Sequence, residues 1–250
     1  MNYSKIKFFI FLFLVGLTFN SCQKDDTTII EENIPTVTKD WFFQPGQERI
    51  ENQAENPEAL TQPTAGKGIS WDFSDAIPTS NVKTIMLVEP TGLPSADLFP
   101  NANIAQLSSG SGQVIYFETS EDSVNVLGVH VQDDLFGIFN QPPVVSTAPF
   151  DFGESIDFTQ ELSIYWGGGL FDNQVSNVEI KFVGAGTVVT PSGTHEDCIM
   201  FEQTAHDLTG KLKGHHFTFY KDNLHNRIAY YSMTLNTSTD EFDTRFYWAE

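Results

Sequence analysis

The chain has almost no cysteine. Cys22 and Cys198 are its only two, which excludes a disulfide framework and a four-cysteine zinc site. Basic residues are also few: 13 Lys and Arg stand against 33 Asp and Glu, a formal net charge of −20. Nucleic acid is thereby excluded as a partner, because its phosphates would be repelled, and adsorption onto anionic lipid or polysaccharide is disfavoured. Alanine, leucine, lysine and arginine, which helices favour, are all scarce. No apolar run reaches the ~20 residues of a membrane-spanning helix. There is no Gly-x-Ser-x-Gly, no Asp-x-Asp-x-Asp-Gly and no repeat of 20–50 residues. Gly167-Gly168-Gly169 precedes no lysine and no helix, so it is not a phosphate loop. No cofactor is expected.

What the chain does have begins at its N-terminus. Lys5 and Lys7 precede an apolar run from Phe8 to Phe19, and Asn20, Ser21 and Cys22 follow. This is a signal-peptide layout, 1–21. The junction resembles a lipobox, with Ser21 before the cleaved bond and Cys22 as the lipidated residue. Gln23, Lys24, Asp25 and Asp26 resemble the export signal that sends Bacteroidetes lipoproteins to the outer face of the outer membrane. That resemblance implies a lipid-anchored protein facing the cell exterior. Each buried acyl methylene contributes about 0.8 kcal/mol, so several chains on one cysteine suffice as anchor. Losing 21 of 250 residues leaves 229, and because Lys5 and Lys7 go with them the charge moves from −20 to −22. Residues 22–39, acidic and Thr-rich, read as a tether, and 40–250 as one domain.

Aromatics are abundant, with 22 Phe, 7 Tyr and 4 Trp, and strands favour aromatic and β-branched residues. Residues 40–68 are broken by proline and glycine, with a short helical turn expected in Glu48–Leu60. Period-two segments then recur: 83–89, 113–119 and 123–131 (a hairpin about Ser120-Glu121-Asp122), 155–165, 178–183, 187–190, 198–207, 208–220, 226–235 and 241–248. In the last, Phe242, Thr244, Phe246 and Trp248 share one face; Asp243, Arg245 and Tyr247 share the other. The expected fold is all-β: an antiparallel meander forming a curved half-barrel or sandwich, with little helix.

Two segments carry a further resemblance. Gly66–Ser74 reads GKGISWDFS, and Gly184–Ile199 reads GAGTVVTPSGTHEDCI. The second resembles the GxGTLxxPxGTYxxVLRxK hairpin of uncharacterised secreted proteins and lipoproteins of Bacteroidetes, with His195 in place of the usual tyrosine. Leu98–Ala105 and Leu127-Gly128 are similar to that family's connecting segments, so the likeness spans about residues 66–250. It implies a β-rich cell-envelope domain and supplies no catalytic residue. Within the hairpin, Gly184 and Gly186 permit a tight start, Pro191 fixes φ entering the turn, and Gly193 leaves it.

Candidate chemistry is thin. His195, His206, His215, His216 and His225 crowd the last third. Cys198, Glu202 and His206 share a face, but four-residue spacing on a strand separates Cα atoms by about 13 Å, so they cannot meet at one ion. No metal site is expected. Asp133-Asp134, Glu121-Asp122 and Glu196-Asp197 are paired in sequence; neighbours on a strand face apart, and glycosidase carboxylates must face each other. Tyr165, Trp166 and Phe171 flank the glycine run and could stack on a ligand, although core packing is the commoner use of such residues. The function expected is therefore non-enzymatic binding of a ligand or partner. A structural accessory of an envelope complex and a glycan hydrolase with carboxylates from separate strands are the alternatives.

Overall fold

A computed structural model describes residues 34–132 and 134–250. The signal segment, Cys22 and Gln23, Lys24, Asp25 and Asp26 lie outside the described residues, as does Asp133. Fourteen strands form along the described chain: β1 Glu48–Ala54, β2 Gly66–Asp72, β3 Pro78–Val88, β4 Ile104–Ser108, β5 Val114–Thr119, β6 Ser123–Gln132, β7 Leu135–Phe139, β8 Val144–Thr147, β9 Ser155–Trp166, β10 Gly169–Thr190, β11 Gly193–His206, β12 Leu212–Lys221, β13 Asn223–Asn236 and β14 Glu241–Ala249. The only helical pieces among the described residues are three 3-10 turns of three residues each. The fold is all-β and antiparallel but for one parallel pairing, β2 with β10.

The expected half-barrel or sandwich is in fact a closed ring. Its strand order is β11-β12-β13-β14-β1-β3-β4-β5-β6-β7-β9-β10, and β10 returns to pair β11. Closure depends on β10, which is 22 residues long and where the sequence suggests two short strands. One edge of it pairs β9 (Gly169↔Trp166 to Lys181↔Ser155) and then β2. The other edge pairs β11 from Asn177↔His206 to Thr190↔Gly193, with bulges on either side of Gly184 and Gly186. Bulges sharpen twist, and a twisted long strand can leave one wall and join the next. Closing the sheet also pairs its edges, which an open sheet would leave exposed.

Alternation sorts the side chains into an inner and an outer set. The inner set of one half of the ring packs as Leu87, Ile104, Phe117, Val124, Val178, Ile180, Phe182, Ile199 and Phe201. Val37, Phe42 and Phe150 join them, with Val37 bridging Phe150. Residues 34–39, read as tether from their acidic and threonine-rich surroundings, therefore include buried core: Ile34 and Val37 are apolar enough to be drawn in. The outer faces are covered too. Trp71, Phe73 and Leu60 lie over Met200, Phe217, Phe219, Tyr231, Phe246 and Trp248. Phe99 lies over Ala105, Val114, Tyr116 and Leu127. Full burial of each such side chain contributes roughly 1.5–3 kcal/mol.

The glycines of the hairpin segment have a different use from the one their sequence suggests. A Cβ on Gly186 would stand 2.0 Å from the Ile69 carbonyl oxygen, and one on Gly184 2.8 Å from the Trp71 ring. They let β2 lie against β10. The turn itself is the two residues Pro191-Ser192, closed by Thr190↔Gly193. Likewise a Cβ on Gly128 would meet Phe99 at 2.3 Å, so the segments 98–105 and 127–128 are packed on each other.

Candidate functional site

The other half of the ring interior is polar. The neighbouring strands β12, β13, β14, β1 and β3 supply it, and register fixes which residues face inward. Tyr220 packs on Phe201 of the inner core (ring centroids 5.4 Å) and lies opposite Arg227. Tyr230 lies opposite Tyr247, Tyr247 opposite Gln53, and Glu51 opposite Lys83. The chain has only three arginines, Arg49, Arg227 and Arg245. Arg49 and Arg227 face inward, and Arg245 is exposed at the β1–β14 seam.

At the centre is Glu51, 4% exposed. Its Oε1 accepts from Arg49 Nε at 2.7 Å and from Arg227 Nε and Nη2 at 3.0 and 2.5 Å. Arg49 Nη1 also donates to the His225 carbonyl (3.0 Å) and to His225 Nδ1 (3.1 Å). A guanidinium only donates, so Nδ1 accepts and the ring proton sits on Nε2. That Nε2 is buried and has no hydrogen-bond partner among the described residues. The Arg227 guanidinium lies 4.8 Å from the Tyr230 ring centre, and Lys83 Nζ 5.0 Å from that of Tyr247. The Tyr230 hydroxyl meets His216 Nδ1 at 3.0 Å.

Charge follows from this geometry. Burial alone raises the Glu51 carboxyl; the fields of Arg227 and Arg49, and the hydrogen bonds they donate, outweigh it and hold the group below its ordinary value. Burial lowers Arg49, and the charge of Arg227 beside it lowers it further. His225 is pushed down to about 4, first by burial and then by Arg49. His216 is pushed down to about 4 by burial, assisted by His215. Both imidazoles are neutral at pH 7. Two guanidiniums and one carboxylate then leave the cluster with one uncompensated positive charge, inside a protein of net charge −20.

The cluster is not sealed from solvent on every side. The Arg227 side chain keeps 22% of its surface accessible, and Tyr220, Tyr230 and His216 are half-buried, although desolvation leads the influences on all four groups. β1 and β14 pair only from Glu51↔Ala249 to Gln53↔Tyr247. Beyond Gln53 the seam parts, and a depression of about 430 Å³ lies there, lined by Gln53, Glu55, Glu58, Thr79, Asp243 and Arg245 among others.

The residues singled out from sequence are scattered. Tyr165 stacks on Phe136 (5.1 Å). Trp166 and Phe171 touch edge to face at the β9–β10 tip, 63% and 66% exposed. The histidines divide as well. His215 Nε2 meets Glu202 at 2.6 Å on the outer face, away from Cys198, whose thiol donates to the His195 carbonyl. His206 lines a shallow outer depression of about 630 Å³ with Asp157 and Glu179. That depression is larger than the seam opening but lies on a flat sheet face. Among the described residues no three His, Cys, Asp or Glu side chains converge as metal ligands. Sequence reasoning missed the arginine cluster. Its signal was available: three arginines in an acidic chain, each at a period-two position with apolar or aromatic neighbours.

No protein family, curated protein or solved structure matches the chain. Its function therefore has to be argued from this geometry.

Proposed function

We propose that the protein is a lipoprotein, anchored through Cys22 and displayed outward, whose β-ring binds a small ligand without transforming it. The observation that carries this reading is the polar half of the ring interior, where Arg49 and Arg227 converge on Glu51 beside Tyr220, Tyr230 and His216. Ligand sites are walled by aromatic groups and equipped with a few fixed polar ones, and this half of the ring supplies both kinds of group. Export rests on the charged start, the apolar run, Ser21-Cys22 and the residues Gln23–Asp26.

The glycan-hydrolase alternative is disfavoured at this site. A general acid needs a raised carboxyl pKa, whereas Glu51 is lowered by two arginines. The accessory-protein alternative has one observation in its favour: Trp166, Leu170 and Phe171 are exposed together at the β9–β10 tip, a surface a partner could cover.

Protease shaving of intact cells tests display. Wild type is expected to be cut, and a variant with Lys24, Asp25 and Asp26 changed to Ala to be protected; an uncut wild type refutes outward display. Native mass spectrometry of protein released from membranes tests binding. A small molecule retained by wild type and lost on Tyr230→Ala is expected, and equal spectra for the two would count against the interior as the site.

A further inference from the structure

Strand β10 begins well before β11 reaches it. From Asn177 to Lys181 it is paired on both edges, to β9 and to β11; from Gly169 to Ser176 it is paired to β9 alone among the described residues. The ladder shows where the backbone groups of this stretch point. The Glu161 carbonyl accepts from the Asn140 N–H, on the β7 side of β9. Val175, opposite Glu161 on β10, therefore turns its own N–H and C=O away from β9, to the free edge. Period two gives Asn173 the same direction, and its N–H donates to the Asp172 carboxylate at 2.9 Å instead of to a strand. Gly169 to Gln174 are exposed, and Val175 and Ser176 are half-buried. The stretch holds neither lysine nor proline, the residues that commonly keep a sheet edge from pairing. A bulge at Phe171 interrupts the register, so the regular part of the edge is Asp172–Ser176.

A row of unpaired backbone groups fits one kind of partner, an extended chain whose own groups repeat at the same spacing. Charge selects among such chains. From Ser155 to Lys181, β9 and β10 carry four acids, Asp157, Glu161, Asp172 and Glu179, against one base, Lys181, which is already paired with Glu179 at 2.6 Å. Asp157 and Glu179 line the outer depression of about 630 Å³, which lies where β11 leaves β10 at Asn177 and His206. We propose that an extended segment of a partner protein, with lysine or arginine at alternate positions, adds as a strand along Asp172–Ser176, its cations beside these acids. A second copy of this chain would set Asp172 and Glu161 near their own like, and like charges across a ladder are destabilising. The surface is separate from the ring interior and does not depend on a ligand there.

The test titrates the whole mature chain, labelled with ¹⁵N and left without lipid by Cys22→Ala, with short peptides at constant ionic strength. The probe is an acetylated, amidated peptide in which lysine alternates with valine. One control is its fully N-methylated counterpart, which keeps the charges and has no ladder donors; the other has glutamate in place of lysine. The lysine peptide is expected to shift the amide signals of Asp172–Ser176 saturably and to slow hydrogen exchange at Val175. Each control is expected to bind at least about tenfold more weakly, the worth of one ladder hydrogen bond. Val175→Pro, which deletes a donor from the free edge and none from the β9 ladder, is expected to abolish binding. If that variant unfolds, the three peptides on the wild-type protein still decide. Equal binding of the N-methylated peptide overturns strand addition, and equal binding of the glutamate peptide overturns selection by charge. No saturable shift at Asp172–Ser176 overturns the inference. Slowed exchange of these amides with rising protein concentration alone assigns the edge to a second copy and overturns the basic partner.

Discussion

Replacing Glu51 by glutamine removes one negative charge and almost no volume. Two guanidiniums then face each other across a neutral amide, with Arg49 9% exposed and Arg227 22% exposed at their side chains. Neither can shed its proton. Removing one partner of a buried ion pair costs about 3–5 kcal/mol. Arg227 is partly accessible, so the lower end, about 3 kcal/mol, is the expected loss. For a domain of this size that corresponds to a fall in Tm of about 6–12 °C. Urea unfolding at pH 7, with calorimetry alongside, measures it. A second signature separates charge from packing. Glu51 is lowered in the folded state, so its contribution is complete above its unfolded value and is lost as pH falls through the folded value. Wild type and Glu51→Gln should therefore converge in stability at strongly acid pH. A loss below about 1 kcal/mol at pH 7, the range of exposed pairs, would refute the account of a buried charge cluster.

Other outcomes follow from the same structure. His216 and His225 sit near 4 when folded and near 6.5 unfolded, so the unfolded chain binds more protons between these values. Stability should be full above pH 6.5 and fall on acidification toward pH 4, by about 1.4 kcal/mol per pH unit for each ring; His216→Phe should flatten that slope in denaturation curves at pH 7, 6 and 5, and an unchanged slope counts against an enclosed neutral imidazole. Gly186→Ala, whose new carbon would lie 2.0 Å from the Ile69 oxygen, should cost about 2–3 kcal/mol and abolish hydrogen-exchange protection of β2. Gly168→Ala, with open space around it and φ at +80°, should cost only about 1–2 kcal/mol and leave β2 protected. Cys198 is fully buried, and burial pushes its thiol up to about 12. It should resist a soluble thiol reagent in the folded protein and react at once in urea; rapid native labelling would contradict its burial in the outer core with Trp71 and Phe219.

Some of this was written plainly in the chain. Aromatic and β-branched alternation marked the strands whose outer faces are covered: β14 shows Phe242, Thr244, Phe246 and Trp248 on one side, and β5 and β6 flank their Ser120-Glu121-Asp122 turn as read. Period-two patterning is local, and a covered face makes it strong. β1 was illegible for the same reason. Its sequence, ERIENQA, places Arg49, Glu51 and Gln53 inward, so the usual code is inverted and the segment reads as loop or helical turn. β4 and β7 are only five residues each, too short to show a period. The sequence by itself determined the all-β class, the hairpins joined by short turns and the excess of acid. Tertiary structure decided that the sheet closes, that a 22-residue β10 reaches both its neighbours, and that Arg49 and Arg227, far apart in the chain, meet on Glu51 within one ring. Ring closure and burial of a charge are set by pairings between residues up to 176 positions apart, such as Glu51 with Arg227, and no local pattern encodes a contact of that range.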